Sequence, residues 1–386
     1  MNESINIDND YLIKILKTMI GIDSVLPHEE RLASFIADEI RGMGLEPQWH
    51  EIAPGRPNVY AAAEFGPGDK FFVFSGHTDT VPAASDWTTD PFEPVEKDGR
   101  LYGLGAINMK SGLACSLAAF RALVESQPRR GRLGLAVVVD QEGCSAGARA
   151  LLKTEFARCD AMLHAEHFFG DTTKNYLPLA VTGKVLYKLT VRGRAAHAFR
   201  PLEGGINAVS DAARIVTALD RLKLREHPLF DKGTVCVLKI EGGYKEYSIV
   251  VPEHCEIVIT RLTVPGETVV LARADMNALI EELGLDSQVT VEIQPPCYEP
   301  YFLEVNSPFV KLFKNVYQRV VGTEPFWAGH RGIVDANVFA GEGGIPTVVF
   351  GPRGAGHHKA GEFVEIDSLE PVARIYAETA ARFLSE

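Results

Sequence analysis

The stretch FFVFSGHTD (residues 71–79) decides the fold class of this chain. Its four leading apolar residues predict a buried strand, and the polar residues after them predict a loop at the carboxyl end of that strand. The same order recurs twice: an apolar run at 133–139 leads into DQEG (140–143), and a run at 161–163 leads into HAE (164–166). Apolar runs of this kind are typical of a parallel sheet that is covered on both faces.

Segments with helical periodicity separate these strands. Apolar residues recur every three or four positions at 12–19, 32–43, 109–123 and 148–152, and Gly44 is placed to end the second helix. Helices that alternate with buried strands predict an α/β architecture. The polar strand ends are expected to meet at one edge of the sheet, where open α/β sheets bind their ligands.

A different pattern begins near residue 181, where apolar and polar side chains alternate as in a half-exposed strand. A helix at 206–219, strands at 234–240 and 255–260, a helix at 269–283 and a strand at 289–293 are predicted to follow. This βαββαβ order is the ferredoxin-like arrangement. We therefore predict a discontinuous domain of residues 1–180 and 294–386, into which residues 181–293 are inserted as a second domain that ends before Pro295-Pro296.

Composition and charge exclude several classes of protein. The chain has 386 residues, of which 46% are hydrophobic, and a net charge of −12, so neither nucleic acid nor an anionic membrane is expected as a partner. No basic and apolar leader is visible, and no apolar run approaches the roughly 18 residues of a membrane helix. The six cysteines form no CxxC pair, which argues against a zinc–thiolate site and suits a reducing compartment. A cytoplasmic location is predicted.

Side chains that bind metals are found in five segments at predicted strand ends or loops. These are GHTD (76–79), GAINMK (105–110), DQEG (140–143), AE (165–166) and GHHKAGE (356–362). A set of histidines and carboxylates without thiolates favours catalytic zinc, cobalt or manganese over structural zinc. The Asp79 carboxylate is expected to hydrogen-bond the His77 imidazole and fix its tautomer. Each segment alone has an ordinary explanation, such as a helix cap or a buried histidine, so the argument depends on the ordered set.

These segments resemble the motifs of the co-catalytic zinc peptidases and amidohydrolases, the family of aminoacylase, acetylornithine deacetylase, succinyl-diaminopimelate desuccinylase and the glutamate-releasing carboxypeptidases. The resemblance covers nearly the whole chain. It is carried by SGHTDTVPA (75–83), GLGAINMKSG (103–112), DQEGCSAGARALL (140–152) and GPRGAGHHKAGEFV (351–364). It implies a three-layer, zinc-peptidase-like α/β catalytic domain, with an inserted ferredoxin-like α+β domain that serves as lid and dimerisation domain.

The resemblance also implies a role for each site residue. Two zinc ions per chain are expected, with the ligand pairs His77 with Glu166 and Glu142 with His358. Position 108 would bridge the two ions, and position 141 would be the general base that takes a proton from metal-bound water. His358 is preferred to His357 because Glu362 stands four residues after it.

A further motif, AAHAFRPLEGGINAV (195–209), lies in the inserted domain. By resemblance, His197 is expected to reach across a homodimer and polarise the scissile carbonyl. Asn207 and Arg261 are expected to bind the substrate carboxylate, a task that suits the planar fork of arginine. Asp335 fits a family position near the pocket.

Two positions depart from the family pattern: Asn108 stands where an aspartate is expected, and Gln141 where a glutamate is expected. A carboxamide offers a cation one oxygen, and its nitrogen only donates, so occupancy of at least one metal position is expected to weaken. An amide at position 141 has no useful basicity. Its presence removes a general-base contribution of about 10²- to 10⁴-fold.

Three interpretations stay open at this point. The chain is a hydrolase of N-acyl amino acids or small peptides whose two carboxylates were replaced deliberately, or a natural protein with another chemistry on such molecules, or a pseudo-enzyme that binds them without turnover. The retained metal-binding side chains favour a metal site. We expect an amidohydrolase-type enzyme, with a binding protein as the alternative.

Overall fold

The computed structural model describes residues 5–126, 130–167, 176–199, 204–246 and 249–385. The chain divides into two compact units. The first comprises Met1–Leu179, Leu303–Ala328 and Val334–Glu386, and the second comprises Ala180–Phe302 and Gly329–Ile333. Within the described ranges, no helix has the length and apolar character needed to cross a membrane.

The helices and strands follow in chain order. The helices are α1 (Asn9–Ile20), α2 (Glu30–Gly42), α3 (Ser111–Ser126), α4 (Ala146–Leu151), α5 (Ala208–Ala218), α6 (Val269–Glu282), α7 (Pro308–Val321) and α8 (Leu369–Ser385). The strands are β1 (Gln48–Ala53), β2 (Arg56–Glu64), β3 (Phe71–His77), β4 (Val95–Lys97), β5 (Arg100–Tyr102), β6 (Arg132–Val138), β7 (Ala161–His164), β8 (Tyr176–Val181), β9 (Gly183–Arg192), β10 (Thr234–Gly242), β11 (His254–Thr263), β12 (Gln288–Tyr298), β13 (Tyr301–Phe302), β14 (Phe326–His330), β15 (Thr347–Val349), β16 (Gly354–Ala355) and β17 (Phe363–Glu365).

The main sheet of the first unit has the strand order β1-β2-β6-β3-β7-β15. Strands β6, β3, β7 and β15 run parallel, while β2 pairs antiparallel with β6 and with β1. Every residue of β3 is buried, as its continuous apolar run predicts. The parallel direction of four strands places their carboxyl ends at one edge of the sheet.

Helices α3 and α8 pack against each other and against β3. Most apolar residues of α3 are buried, and Leu113, Leu117 and Phe120 are inaccessible to solvent. A glycine is required where α3 begins, because a Cβ at Gly112 would stand 1.7 Å from the carbonyl oxygen of Ala165. This close approach brings the start of α3 against the segment that follows β7.

The second unit contains a four-stranded antiparallel sheet in the order β10-β11-β9-β12. Buried residues of α5 and α6, such as Ala212, Ile215 and Met276, form one core with the inward side chains of β9 and β11. The βαββαβ order and this strand order are those of a ferredoxin-like fold, as the sequence predicts.

The prediction that Pro295-Pro296 ends the inserted domain was wrong. Strand β12 continues to Tyr298, and its register against β9 shifts between Gln294 and Tyr298, where the two prolines lie. A proline has no N–H to donate, so the chain forms an irregularity at this point and then resumes pairing. The second unit consequently extends to Phe302 instead of residue 293.

Candidate metal centre

Three parallel strands of the first unit deliver polar side chains to one edge of the main sheet. His77 is the last residue of β3 and lies opposite Val138 of β6. Ser75 of β3 lies opposite His164 of β7. The segments 140–142 and 165–167, which follow β6 and β7, therefore begin beside His77.

A smaller sheet of the first unit, in the order β16-β17-β5-β4, brings in the remaining residues. The loop between β16 and β17 carries His357, His358 and Glu362, and β5 leads into an irregular turn, Ala106–Lys110, in which Asn108 has a non-helical backbone. Strand β17 pairs with β5, with Phe363 opposite Tyr102. This pairing holds the histidine loop against the Asn108 segment.

The Glu362 carboxylate fixes the backbone around Asn108. Its Oε1 accepts hydrogen bonds from the N–H groups of Ile107 and Asn108, each at 2.9 Å, and its Oε2 accepts one from Gly105 at 3.0 Å. Glu362 is buried, and burial raises its pKa above the ordinary value. The sequence spacing singled out Glu362 but did not predict that it binds the backbone.

His77 is held by the backbone of Asp79 and not by its carboxylate. His77 Nδ1 lies 2.9 Å from the Asp79 carbonyl oxygen but 3.5 Å from Asp79 Oδ1. The backbone carbonyl oxygen of Asp79 is thus a nearer acceptor for the Nδ1 proton than the predicted carboxylate. The carbonyl can only accept, so Nδ1 carries the proton and Nε2 is left for a metal.

The Asp79 carboxylate anchors the loop after β6 instead. It accepts hydrogen bonds from the backbone N–H groups of Gln141, at 3.2 Å, and Glu142, at 2.8 Å. Burial by itself would raise the pKa of Asp79, but the His77 imidazole and these N–H groups lower it. Asp79 thus places both predicted residues of this loop beside His77.

His77 and Glu166 form one half of the candidate centre. His77 Nε2 lies 3.3 Å from Glu166 Oε2, and both side chains are buried. Burial would raise the pKa of Glu166, but the neighbouring His167 and His77 hold it well below its usual range. Burial would likewise lower the pKa of His77, but the charges of Asp79 and Glu166 outweigh burial and raise it.

Glu142, His358 and Asn108 form the other half. Asn108 Nδ2 donates to Glu142 Oε1 at 2.7 Å and lies 3.0 Å from His358 Nε2. His358 Nε2 lies 2.9 Å from Glu142 Oε1, and this contact raises the pKa of His358. His358, whose φ of 59° is left-handed, is the histidine of the pair that contacts Glu142. We call these three side chains the Asn108 triangle.

The two halves differ in how they fit a divalent ion. Within the described part of the chain, His77 Nε2, Glu166 Oε2 and Asn108 Oδ1 are buried and have no hydrogen-bond partner. Imidazole nitrogen and carboxylate or amide oxygen atoms of this kind are ligands that suit a divalent ion such as zinc. The described residues contain no group of three His, Cys, Asp or Glu side chains placed to hold an ion. Each half supplies two such side chains, and the residue that stands third is the amide Asn108.

Several buried groups beside this centre were missed or only partly predicted. His164 and His167 flank Glu166, and burial lowers the pKa of His164 to about 4. Asp335, which the resemblance placed near the pocket, is fully buried, and burial raises its pKa to about 7. The spacing HAEH (164–167) was the available signal for the two histidines.

The three predicted substrate residues lie in the second unit. His197 is exposed, and its Nδ1 accepts a hydrogen bond from Phe199 N at 3.3 Å. Asn207 caps α5, because its Oδ1 accepts from the N–H groups of Val209, at 3.0 Å, and Ser210, at 3.1 Å. Its side-chain oxygen is therefore engaged in the helix cap.

The structure places Arg261 inside the second unit, and its predicted role in binding the substrate carboxylate stays a prediction. Its side chain is fully buried and forms ion pairs with Glu267 and with Asp275, the latter at 3.0 Å. Two carboxylates already neutralise the guanidinium inside the unit. A buried charge needs such partners, which makes Arg261 part of the core of the second unit.

Comparison with known proteins shows the family and the fold. The sequence matches the model of Peptidase family M20/M25/M40 over residues 73–382. It is 26% identical to a succinyl-diaminopimelate desuccinylase from Nitrosomonas europaea over 96% of this chain and 98% of that protein. The structure is similar to aminopeptidase PepT from Bacillus cereus, with a TM-score of 0.79, 22% identity and coverage of 98% of this chain and 100% of that one.

A second structural relative is the YXEP protein of Bacillus subtilis, a dinuclear metal binding peptidase. The TM-score is 0.75 and the identity 16%, with 98% of each chain covered. These likenesses confirm the predicted mixed α/β fold with an inserted domain.

Proposed function

The chain belongs to Peptidase family M20/M25/M40, a family of hydrolases, and on this premise we propose that it is a metal-dependent amidohydrolase acting on the amide bond of an N-acyl amino acid or a small peptide. One observation carries the proposal. His77, Asn108, Glu142, Glu166 and His358 converge at the carboxyl edge of the main sheet, and three of their donor atoms are buried without a hydrogen-bond partner among the described residues.

His77, Glu166 and the Oδ1 of Asn108 are the residues that would hold a divalent ion. Zinc is the first choice, and cobalt or manganese would suit the same donors. When bound, such an ion polarises a substrate carbonyl as a Lewis acid. The chain supports this role because the Asp79 carbonyl directs His77 Nε2 toward Glu166 and Glu362 fixes the backbone of Asn108.

Gln141 occupies the position that the family gives to the general base. Its backbone N–H donates to Asp79 Oδ1 at 3.2 Å, which anchors this residue in the loop after β6. An amide can donate or accept a hydrogen bond but cannot take a proton. We therefore propose that the protein hydrolyses its substrate slowly, without the contribution of about 10²- to 10⁴-fold that a general base makes.

The Gln141→Glu variant tests this proposal. With N-acyl amino acids, including N-succinyl and N-acetyl derivatives, and with di- and tripeptides, kcat is expected to rise about 10²- to 10⁴-fold. KM is expected to change little, since the base acts in the transition state. The measurement is a steady-state assay with zinc or cobalt supplied. Gln288→Glu, an exposed position in the second unit, is the matched control and should leave the rate unchanged.

Binding without turnover is the second candidate function. The Asn108 triangle and Gln141 favour it, because each places an amide where the family chemistry needs a carboxylate. Calorimetric titration with the same panel separates the two functions. A ligand that binds while neither Gln141→Glu nor the double variant with Asn108→Asp hydrolyses any member of the panel would establish the binding protein and contradict the hydrolase.

Homodimerisation through the inserted unit belongs to the same proposal. Strand β10 is at the edge of its sheet, and Leu238 and Ile240 on it are exposed. An edge strand with exposed apolar side chains is a surface that pairs readily with another chain. We propose that the exposed His197 contacts the substrate bound by the partner subunit of this dimer.

We also propose a cytoplasmic location, because the six cysteines form no CxxC pair and suit a reducing compartment.

A further inference from the structure

We propose that the centre holds a single divalent ion, bound by His77, Glu166 and Asn108 Oδ1, and that hydrogen bonds from Asn108 Nδ2 and His358 Nε2 to Glu142 Oε1 take the place of a second ion. The inference concerns the same centre as the proposed function and rests on it. The number of bound ions can nevertheless be measured without any turnover.

Distances between donor atoms distinguish the two halves. Two ligands of a tetrahedral zinc ion, each about 2.0–2.1 Å from the metal, are about 3.3–3.4 Å apart. His77 Nε2 and Glu166 Oε2 are separated by 3.3 Å. Glu142 Oε1 and His358 Nε2 are only 2.9 Å apart, which is a hydrogen-bond distance. The separation of the first pair matches that of two zinc ligands, whereas the second pair is closer together than two zinc ligands would be.

The chemistry of the amide fixes the orientation of Asn108. Its Nδ2 stands 2.7 Å from Glu142 Oε1, where a donor meets a carboxylate. Turning the amide over would put Oδ1 at that distance from the carboxylate oxygen, and two acceptors repel each other. Asn108 Oδ1 is consequently turned away from Glu142. It is buried, and the described residues offer it no hydrogen-bond partner.

Electrostatic repulsion also disfavours a second divalent ion at this centre. Two divalent ions in such centres lie about 3.5–4 Å apart and repel each other strongly. An aspartate at position 108 would add a negative charge between them, whereas Asn108 adds none and donates an N–H hydrogen to Glu142. The Glu362 carboxylate also restrains the backbone of Asn108, which limits any rearrangement that would open the second position.

The test is a count of bound ions. Metal-free protein is titrated with Co²⁺ while its visible absorption is followed, and zinc-loaded, desalted protein is measured by elemental analysis. The wild-type titration is expected to break at about one equivalent, and that of Asn108→Asp at about two. Gln141→Glu is the matched control, because it makes the same change from amide to acid but outside both ligand sets, and it should still bind one ion.

Two further variants locate the ion. His77→Ala is expected to lose it, while His358→Ala is expected to keep it. Two ions in wild type, none after zinc is supplied, or loss of the ion in His358→Ala but not in His77→Ala would each overturn the proposal. The wild-type count decides the matter even if a variant fails to fold. If Gln141→Glu hydrolyses the panel while wild type binds two ions, the inference fails and the proposed function stands.

Discussion

Glu362 is not one of the predicted metal ligands, but it stabilises the backbone of the candidate metal centre. Its carboxylate accepts three backbone hydrogen bonds, from Gly105, Ile107 and Asn108. Replacement by glutamine places an NH₂ group against one of these donors. We expect Glu362→Gln to lower the free energy of unfolding by about 1–3 kcal/mol, as measured by urea denaturation.

Glu365→Gln is the matched comparison for this change. Glu365 lies on β17, close in sequence, but its ion pair with Arg353, at 2.9 Å, is partly exposed. Such pairs contribute about 0–1 kcal/mol. Equal losses in the two variants would show that the backbone bonds to Glu362 are unimportant.

At the level of residues, the sequence predicts positions better than partners. His77, Glu142 and Glu166 were found because each follows an apolar run in the sequence, whereas the binding of the Asp79 carboxylate to the 141–142 backbone is seen only in the folded loop. The burial of Arg261 could have been predicted from the sequence. This residue is in phase with Cys255, Ile257 and Ile259 on β11, and the period of two along a strand places it with them inside the unit.

At the level of an element, substitutions at the start of helix α5 separate two roles of Asn207. These are capping the helix and binding the substrate carboxylate. As the cap of this helix, Asn207 should be replaceable by aspartate but not by alanine, since aspartate keeps the accepting oxygen and suits the helix N-terminus. We expect Asn207→Ala to cost about 1 kcal/mol of stability and Asn207→Asp to cost little, measured by thermal and urea unfolding.

If Asn207 binds the substrate carboxylate, the two variants should rank in the opposite order when ligand affinity is measured by titration. Asn207→Asp would repel a substrate carboxylate more than the neutral Asn207→Ala does. Unchanged stability in Asn207→Ala would contradict the capping role, and unchanged affinity in Asn207→Asp would contradict carboxylate binding.

Helices and strands with a clear hydrophobic pattern could be predicted from the sequence. Short or exposed strands, which form only because they pair with another strand, could not. Strand β3 and the strands of the second unit follow their hydrophobic patterns. The β1–β2 hairpin, which turns at Pro54-Gly55, escaped because β1 is largely exposed and has no apolar run. Strands β16 and β17 are two and three residues long, and they exist because β17 pairs with β5 more than 250 residues earlier.

At the scale of the whole molecule, the proposed ion belongs entirely to the first unit. Binding to the native state stabilises it by about 2.7 kcal/mol when the free ligand is at 100 times its Kd. We therefore expect zinc to slow hydrogen exchange in β3, β6 and β7 and to leave β9 and β11 unchanged, measured by mass spectrometry with zinc or with a chelator.

The His77→Ala variant provides the control for this experiment, because it should show no zinc-dependent protection. Equal protection of β3 and β9, or protection that persists in His77→Ala, would mean that zinc acts elsewhere than at the proposed site.

The loop between β16 and β17 has a consequence for how the protein is made. Its His358 and Glu362 are translated about 190 residues after Glu166, which takes a ribosome about 10–40 s at usual speeds. Throughout that interval the nascent polypeptide already contains His77 and Glu166. It still lacks Glu362, whose carboxylate fixes the backbone of Asn108. The proposed ion site is therefore expected to be complete only after residue 362 has been synthesised, so that metal binding follows the synthesis of nearly the whole polypeptide.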